Sequence, residues 1–255
     1  MASPPVLMVH GAFCGGWALE AFSSRFADAG LAVRAPNLPG HDASRESVVG
    51  RSMADFAAAV AAEAGALARP PILIGHSMGG LVALMAAQRT PVAGVVALAP
   101  SAPWGVGGST MEEAISAVSL YTLGPYWAQA IEPDYPSFRR YGVDRLPRSE
   151  RRAVFARMGP ESGRALFETL NWWLDPFMTT MVRPEQIAAP ILMIAGERDA
   201  VHPPATVREA ARRLGAKFEL APGMSHWLIG EPGWEGIADR CLAWMADAAA
   251  PLAAE

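Results

Sequence analysis

The sequence predicts an α/β fold: an open, mostly parallel sheet with helices on both faces, interrupted by an inserted helical cap. Three observations predict it. Short, continuously apolar runs alternate with longer segments of helical period along most of the 255 residues. The loops that follow those runs hold the serine, aspartate and histidine best placed to do chemistry. The alternation fails once, between Ser101 and Pro184. Uninterrupted apolar strands are buried on both faces, which is the habit of parallel sheets covered by crossover helices.

The strand candidates, in order, are "PVLMV" at 5–9, "LAVRA" at 31–35, "PILIG" at 71–75, "VAGVVALA" at 92–99, "PILMIAG" at 190–196 and "AKFELA" at 216–221. Between and after them lie "WALEAFSSRFADAG", "SMADFAAAVAAEAGALA", "MGGLVALMAAQRT", "TVREAARRLG" and "WEGIADRCLAWMADAA", whose apolar residues recur at three and four. That spacing gives each a buried stripe and makes them the crossover helices. Residues 101–184 show no convincing strand, only Pro, Trp and Tyr in apolar spacings suited to short helices. We therefore expect a core of residues 1–100 and 185–255 with a mobile helical cap at 101–184.

Composition narrows the function. The net charge is only −4, with no sustained run of like charge, so capture of nucleic acid or of an anionic membrane is not expected. A small molecule is the expected partner, and the sequence sets no oligomeric state. Two cysteines, Cys14 and Cys241, lie far apart, so neither a disulfide framework nor a zinc knuckle is indicated. The N-terminus "MASPPVLMVHGAF" has no basic region ahead of a long apolar segment, and no later run reaches about 18 apolar residues. The expected location is the cytoplasm. Lys217 is the only lysine, which leaves Schiff-base chemistry almost without a candidate. "HGAFCGG" lacks the ending of a phosphate-binding loop, and the five histidines have no metal-type spacing. No cofactor and no metal are expected.

Ligands of open parallel sheets bind beyond the carboxyl ends of the strands. There, after the third strand, stands "GHSMG". It fits the G-x-S-x-G pattern between an apolar strand and an apolar helix, where a sharp turn lifts a serine hydroxyl above the sheet. Ser77 is the candidate nucleophile. Gly75 and Gly79 leave room where side chains would collide, and Gly80 lets the helix pack closely. A serine needs a base, and the base needs an orienting acid. "AGERDAV" places Asp199 after the fifth strand, and "APGMSHWLIGEP" places His226 after the sixth. Glu197 is an alternative acid, and His202 in "VHPP" is a weaker base candidate that reads as the start of a helix. Acyl transfer also needs two N–H donors for the developing oxyanion. Met78 supplies one. The other comes from "HGAFCGGW", with Ala12 as the donor and Phe13 as the neighbouring alternative; His10 reads as structural.

Together these residues resemble the α/β-hydrolase superfamily over nearly the whole chain. "HGAFCGGW", "PNLPGH", "GHSMGG", "GERD" and "GMSHW" look like its oxyanion loop, post-strand turn, elbow, acid and histidine in order. The resemblance favours Asp199 over Glu197. Asn37 and Asp42 depart from the "D-L-P-G-H-G" of many members without touching the triad. Related cyanohydrin-cleaving proteins carry Thr where this chain has Gly11 and Lys where it has Trp227. Dehalogenases and epoxide hydrolases of the fold use Asp at the elbow.

The resemblance implies a serine hydrolase of carboxylic esters with a small to medium apolar substrate, working through Ser77, Asp199 and His226. The same triad also serves lactone, thioester or C–C bond hydrolysis, and a slow-turnover ligand receptor would keep it as well. Aromatic cap residues Trp104, Tyr121, Trp127, Trp172 and Trp173 are candidates for an apolar pocket. Phe13 and Trp227 are candidates for the same wall. The basic segment "FRRYGVDRLPRSERR" reads as a solvated helical face, with binding of an anionic substrate group as the alternative.

Overall fold

The computed structural model describes residues 3–42, 44–111 and 120–249, with the side chains of Tyr121, Ala248 and Ala249 outside the described set. The expectation for Tyr121 therefore lies outside what the structure describes. Six parallel strands form one sheet: β1 (Val6–Val9), β2 (Val33–Arg34), β3 (Ile72–His76), β4 (Gly94–Leu98), and two further strands nearer the C-terminus. Two short strands in the insertion, β5 (Ala130–Ile131) and β6 (Glu161–Ser162), pair separately and antiparallel. The last two strands of the main sheet are β7 (Ile191–Gly196) and β8 (Lys217–Ala221), and the order across it is β2-β1-β3-β4-β7-β8. β1 and β3 are adjacent, with β2 outside β1, so the strand order reverses beside β3, where the serine elbow stands.

Every residue of β1, β3, β4 and β7 is buried, as their continuous apolar sequence requires. One face is covered by α2 (Met53–Gly65), α3 (Met78–Ala87) and α6 (Pro204–Leu214), whose Phe56, Val60, Leu81, Met85 and Val207 join Leu7, Leu73, Val95 and Met193. On the other face, α1 (Glu20–Asp28) and α7 (Trp234–Ala249) bring Phe22, Phe26, Ile237 and Trp244 against Met8, Ile74, Val96 and Ile194. Alternate strand residues thus serve opposite cores. α3 has no polar stripe, and all ten of its residues are buried.

Two departures from the sequence reading have local causes. The strand expected at 31–35 shrinks to Val33–Arg34, because Pro36 cannot donate a ladder bond and the chain turns away to reach Leu38. Within 101–184, where no strand was expected, two-residue β5 and β6 pair Ala130 with Ser162 and Ile131 with Glu161. Among its described residues the insertion also holds two helices of eight to nine residues, α4 (Arg148–Ala156) and α5 (Gly163–Leu170), with shorter helical turns and loops.

Buried polar groups hold the insertion to the core. Glu168 of α5 accepts from Ser52 Oγ and from the Met53 amide at the start of α2, and Ser162 Oγ donates to Arg51 O. Among the described residues no helix is long and apolar enough to cross a membrane.

Candidate functional site

The turn from β3 into α3 forces Ser77 to φ 55° and ψ −125°, a region that side-chain-bearing residues rarely adopt. The turn is possible because its glycines have no side chains. A Cβ on Gly75 would lie 2.1 Å from Gly79 O, and one on Gly79 would lie 2.3 Å from both Val9 O and His10 O. The Ser77 carbonyl accepts from Gly80 N and Ser101 N, which holds the elbow from both sides. The result is a hydroxyl standing at the carboxyl edge of the sheet.

Two other loops arrive at that edge. The loops after β7 and β8 press together at Gly196, where a Cβ would lie 2.0 Å from Ser225 O. His226 Nε2 is 3.0 Å from Ser77 Oγ, and His226 Nδ1 is 2.9 Å from Asp199 Oδ2. Asp199 accepts only, so the ring proton sits on Nδ1 and the Nε2 lone pair faces the serine hydroxyl. The second oxygen of Asp199 accepts from the amides of Val201 and His202, at 2.8 and 2.9 Å. Burial pushes the Asp199 carboxyl up. The charge and hydrogen bond of His226, with the hydrogen bond from the His202 amide, outweigh burial and hold it below the usual carboxylate range. The structure thus brings Ser77, His226 and Asp199 into one hydrogen-bonded chain. Glu197, the alternative acid, instead accepts from Gly223 N at 2.7 Å.

Two more histidines pack around His226. His76 donates its Nε2 proton to His226 O at 2.8 Å, and its buried Nδ1 has no partner among the described residues. His202 lies 3.0 Å from Ser101 Oγ, with its ring 5.2 Å from that of His226. Burial first, and then the neighbouring His226 charge, lowers both to about 3, so both are neutral. His202 is thus a packed neighbour of His226, buried beyond what the start of a helix would suggest.

The loop after β1 closes the fourth side. Gly11 is in contact with the elbow, since a Cβ there would lie 3.1 Å from Ser77 Cβ and 3.2 Å from His76 O. His10 is fully buried, accepting from Leu38 N through Nε2 and donating from Nδ1 to Gly11 O. Phe13 adopts a left-handed φ of 63° and donates its N–H to Glu161 Oε2 at 3.2 Å. Among the described residues the Ala12 amide has no acceptor. The Met78 amide, at the first position of α3, belongs to the turn whose N–H groups have no helical partner.

The aromatic candidates divide. Trp104 and Trp172 meet with ring centroids 5.4 Å apart, and Trp172 contacts Trp173, which is more than half exposed, as Trp127 is nearly. Phe13 packs with Tyr126, Ile131 and Leu166. Trp227 does not join either group. Its ring is buried against His76 and Phe138 in the core on the α1 and α7 side. Trp227 is joined in that core by the two residues after it, Leu228 and Ile229.

Residues that sequence reasoning passed over are Glu161 and His41. The Glu161 carboxylate is fully buried and accepts from Phe13 N, Ser162 N and His41 Nε2. Phe13 and His41 lie far off in sequence, and "GPESG" carries no local signal of them. Among the described residues no group of three or more His, Cys, Asp or Glu side chains could hold a metal ion.

Residues 6–240 match the sequence model of the alpha/beta hydrolase family. The chain is 27% identical over 265 residues to the magnesium-chelatase 30 kDa subunit of Rhodobacter capsulatus, covering 95% of this chain and 87% of that protein. It is 28% identical over 236 residues to the pimeloyl-[acyl-carrier protein] methyl ester esterase of Stenotrophomonas maltophilia strain K279a, covering 90% and 85%. A solved methylesterase from Arabidopsis superposes with a TM-score of 0.73 at 16% identity, over 94% of this chain and 99% of that one.

Proposed function

Because the chain belongs to the alpha/beta hydrolase family, we propose that it is a serine hydrolase of carboxylic esters with a small to medium apolar substrate, acting through an acyl-enzyme. The observation that carries this reading is the chain Ser77 Oγ to His226 Nε2, then His226 Nδ1 to Asp199 Oδ2, at 3.0 and 2.9 Å. Relatives named for methyl ester hydrolysis support an ester carbonyl as the target.

In this mechanism Ser77 Oγ attacks the carbonyl carbon while His226 Nε2 takes the hydroxyl proton. Asp199 holds the imidazole in the required tautomer and stabilises it once charged. The carbonyl oxygen, now an oxyanion, is met by the amides of Met78 and Ala12. Phe13 is set aside as donor because its N–H is engaged by Glu161. Collapse of the tetrahedral intermediate passes the proton from His226 to the departing alcohol. Water then repeats the attack on the acyl-enzyme, again giving up its proton to His226, and Ser77 is released with a carboxylic acid as product. Residues 101–184 act as a helical cap, and Phe13, Trp104 and Trp172 offer the substrate an apolar wall.

Ser77→Ala tests the assignment on activated short-chain aryl esters. Loss of the nucleophile is expected to lower kcat on the order of a millionfold. Near-normal turnover by that variant overturns it. Multiple-turnover kinetics of the native chain on matched esters, lactones and β-diketones then ranks the carbonyl classes.

A further inference from the structure

Among the described residues, the hydrogen bonds from the insertion to the loop after β1 are made at Phe13. Phe13 sits at φ 63°, in the left-handed region that costs a side-chain-bearing residue roughly 1 kcal/mol or more. Both polar groups of its backbone are engaged by residues of one short stretch of the insertion, on either side of Pro160. Its N–H is donated to Glu161 Oε2 at 3.2 Å, and its C=O accepts from Gly159 N at 3.0 Å. A left-handed residue in a loop keeps that conformation only where its surroundings over-determine it, and here residues 159–161 are those surroundings.

Glu161 is itself held. Its Oε1 accepts from Ser162 N at 2.7 Å, and its Oε2 also accepts from His41 Nε2 at 3.0 Å. The two side chains are 0% and 2% exposed, so the interaction is little screened. The other ring nitrogen of His41 faces Leu38 O at 3.3 Å, so the ring meets an acceptor on each side, which the imidazolium satisfies with both of its N–H groups. Burial works against that charge. The hydrogen bond and charge of Glu161 outweigh burial and raise His41 above the ordinary histidine value. Leu38, one residue short of this turn, is also the partner of His10, which begins the same loop. The ring closes: β1 loop, insertion, post-β2 turn, and back to His10.

We infer that Glu161 is a positioning residue for the oxyanion site, holding Phe13 left-handed so that the preceding amide, Ala12, is aimed beside Ser77, with His41 anchoring the carboxylate. The inference rests on the serine-hydrolase reading. The Phe13 N–H belongs to the Ala12–Phe13 peptide, so its bond to Glu161 fixes the plane on the carboxyl side of Ala12 and limits how far the Ala12 backbone, with the N–H on its other side, can turn. A donor that is misaimed stabilises the ground-state carbonyl little differently but fails the developing oxyanion.

The test compares Glu161→Gln, Phe13→Gly and the double variant on a short-chain aryl ester, with circular dichroism and melting temperature recorded for each. Glu161→Gln keeps size and removes the charge and at least one acceptor. Its kcat is expected to fall tenfold or more while KM stays within about twofold, because a lost oxyanion donor costs about a hundredfold to a thousandfold. Glycine adopts the left-handed region without penalty. In the Phe13→Gly background the added effect of Glu161→Gln on kcat is therefore expected to shrink to threefold or less. A purely structural role for Glu161 predicts the same fall in either background, and that outcome overturns the inference. So does an unchanged kcat in a folded Glu161→Gln. Should Glu161→Gln fail to fold, His41→Gln, which loosens the carboxylate from the opposite side, replaces it in the same cycle, with the same two outcomes counting for and against. Ser77→Ala assayed alongside keeps the failures apart. A silent Ser77→Ala with an unaffected Glu161→Gln sinks the positioning role alone, whereas an active Ser77→Ala sinks the reading beneath it.

Discussion

Acidification should destabilise this protein steeply, and the reason lies in three histidines around the site. His10, His76 and His202 are each buried, and burial followed by a neighbouring histidine's charge lowers each to about 3. The unfolded chain takes up protons on these residues near 6.5. Between those values the unfolded state binds protons that the folded state refuses, so stability falls as pH falls. At about pH 5 each site contributes roughly 2 kcal/mol of destabilisation, or about 6 kcal/mol together, against a typical total of about 5–15 kcal/mol. Three groups offset part of this. His41 is raised despite its burial, because Glu161 favours its charged form. Glu168 and Glu231 are raised chiefly by burial. All three bind protons more readily in the folded state. His41 therefore adds stability below about 6.5 that is lost as pH rises through its own folded value, and the two carboxyls gain on the acid side. Urea unfolding at about pH 7, 6 and 5 should show a midpoint that drops at each step, and imidazole nitrogen spectra should show His10, His76 and His202 untitrated at about pH 5. A level midpoint, together with His10, His76 or His202 charging above about pH 5, would refute the argument.

Other substitutions test particular contacts. Asp199→Asn should leave the fold intact and lower kcat about ten-thousandfold, because an amide N–H facing His226 Nδ1 moves the ring proton to Nε2, where it meets Ser77; the aryl-ester assay reads it. Gly75→Ala should abolish soluble folded protein, since the new Cβ would lie 2.1 Å from Gly79 O, a backbone atom at the head of a buried helix. Glu168→Ala leaves Ser52 Oγ and the Met53 amide without their acceptor and should cost about 1–3 kcal/mol in a melting experiment, with KM unchanged. Trp172→Ala should raise KM for bulky aryl esters more than for acetyl esters, and an equal change for both would remove Trp172 from the pocket wall.

What the sequence discloses is what is encoded locally. Strand identity for β1, β3, β4 and β7 follows from unbroken apolar runs, and the elbow from a serine whose flanking glycines leave it no other backbone. Asp199 and His226 are legible because each sits in the short loop after a recognisable strand. The Glu161 contact is encoded nowhere nearby: it reaches 148 residues to Phe13 and 120 to His41, so neither "GPESG" nor "PGHD" shows it. β5 and β6 are too short for a two-residue period to register. Trp227 shows the opposite failure: proximity in sequence to His226 suggested the pocket, but its ring packs with Leu228 and Ile229 in the core, against His76 and Phe138.

The insertion therefore has two jobs that sequence would assign to different parts of the chain. Its aromatic residues, Trp104 and Trp172, meet ring to ring and are the proposed substrate wall. Its polar residues brace the site's loops: Gly159 and Glu161 at Phe13, Asp144 at Ser225 Oγ beside His226, and Thr180 O at the amide of Trp104. If bracing and specificity were one function, exchanging the insertion for that of a relative would trade one substrate for another at equal turnover. Because Glu161 acts on the oxyanion loop and not on the substrate, the two should separate. A chimera replacing residues 101–158 and keeping Asp144 at its position should change substrate preference while retaining kcat within about tenfold on the best ester. One replacing 101–184, with no carboxylate at 161, should keep the hydrogen-bonded chain of Ser77, His226 and Asp199 yet lose about a hundredfold in kcat on every ester. Restoring glutamate at that one position should recover most of the loss. Equal turnover by the two chimeras would show that the brace does not reach the reacting carbonyl.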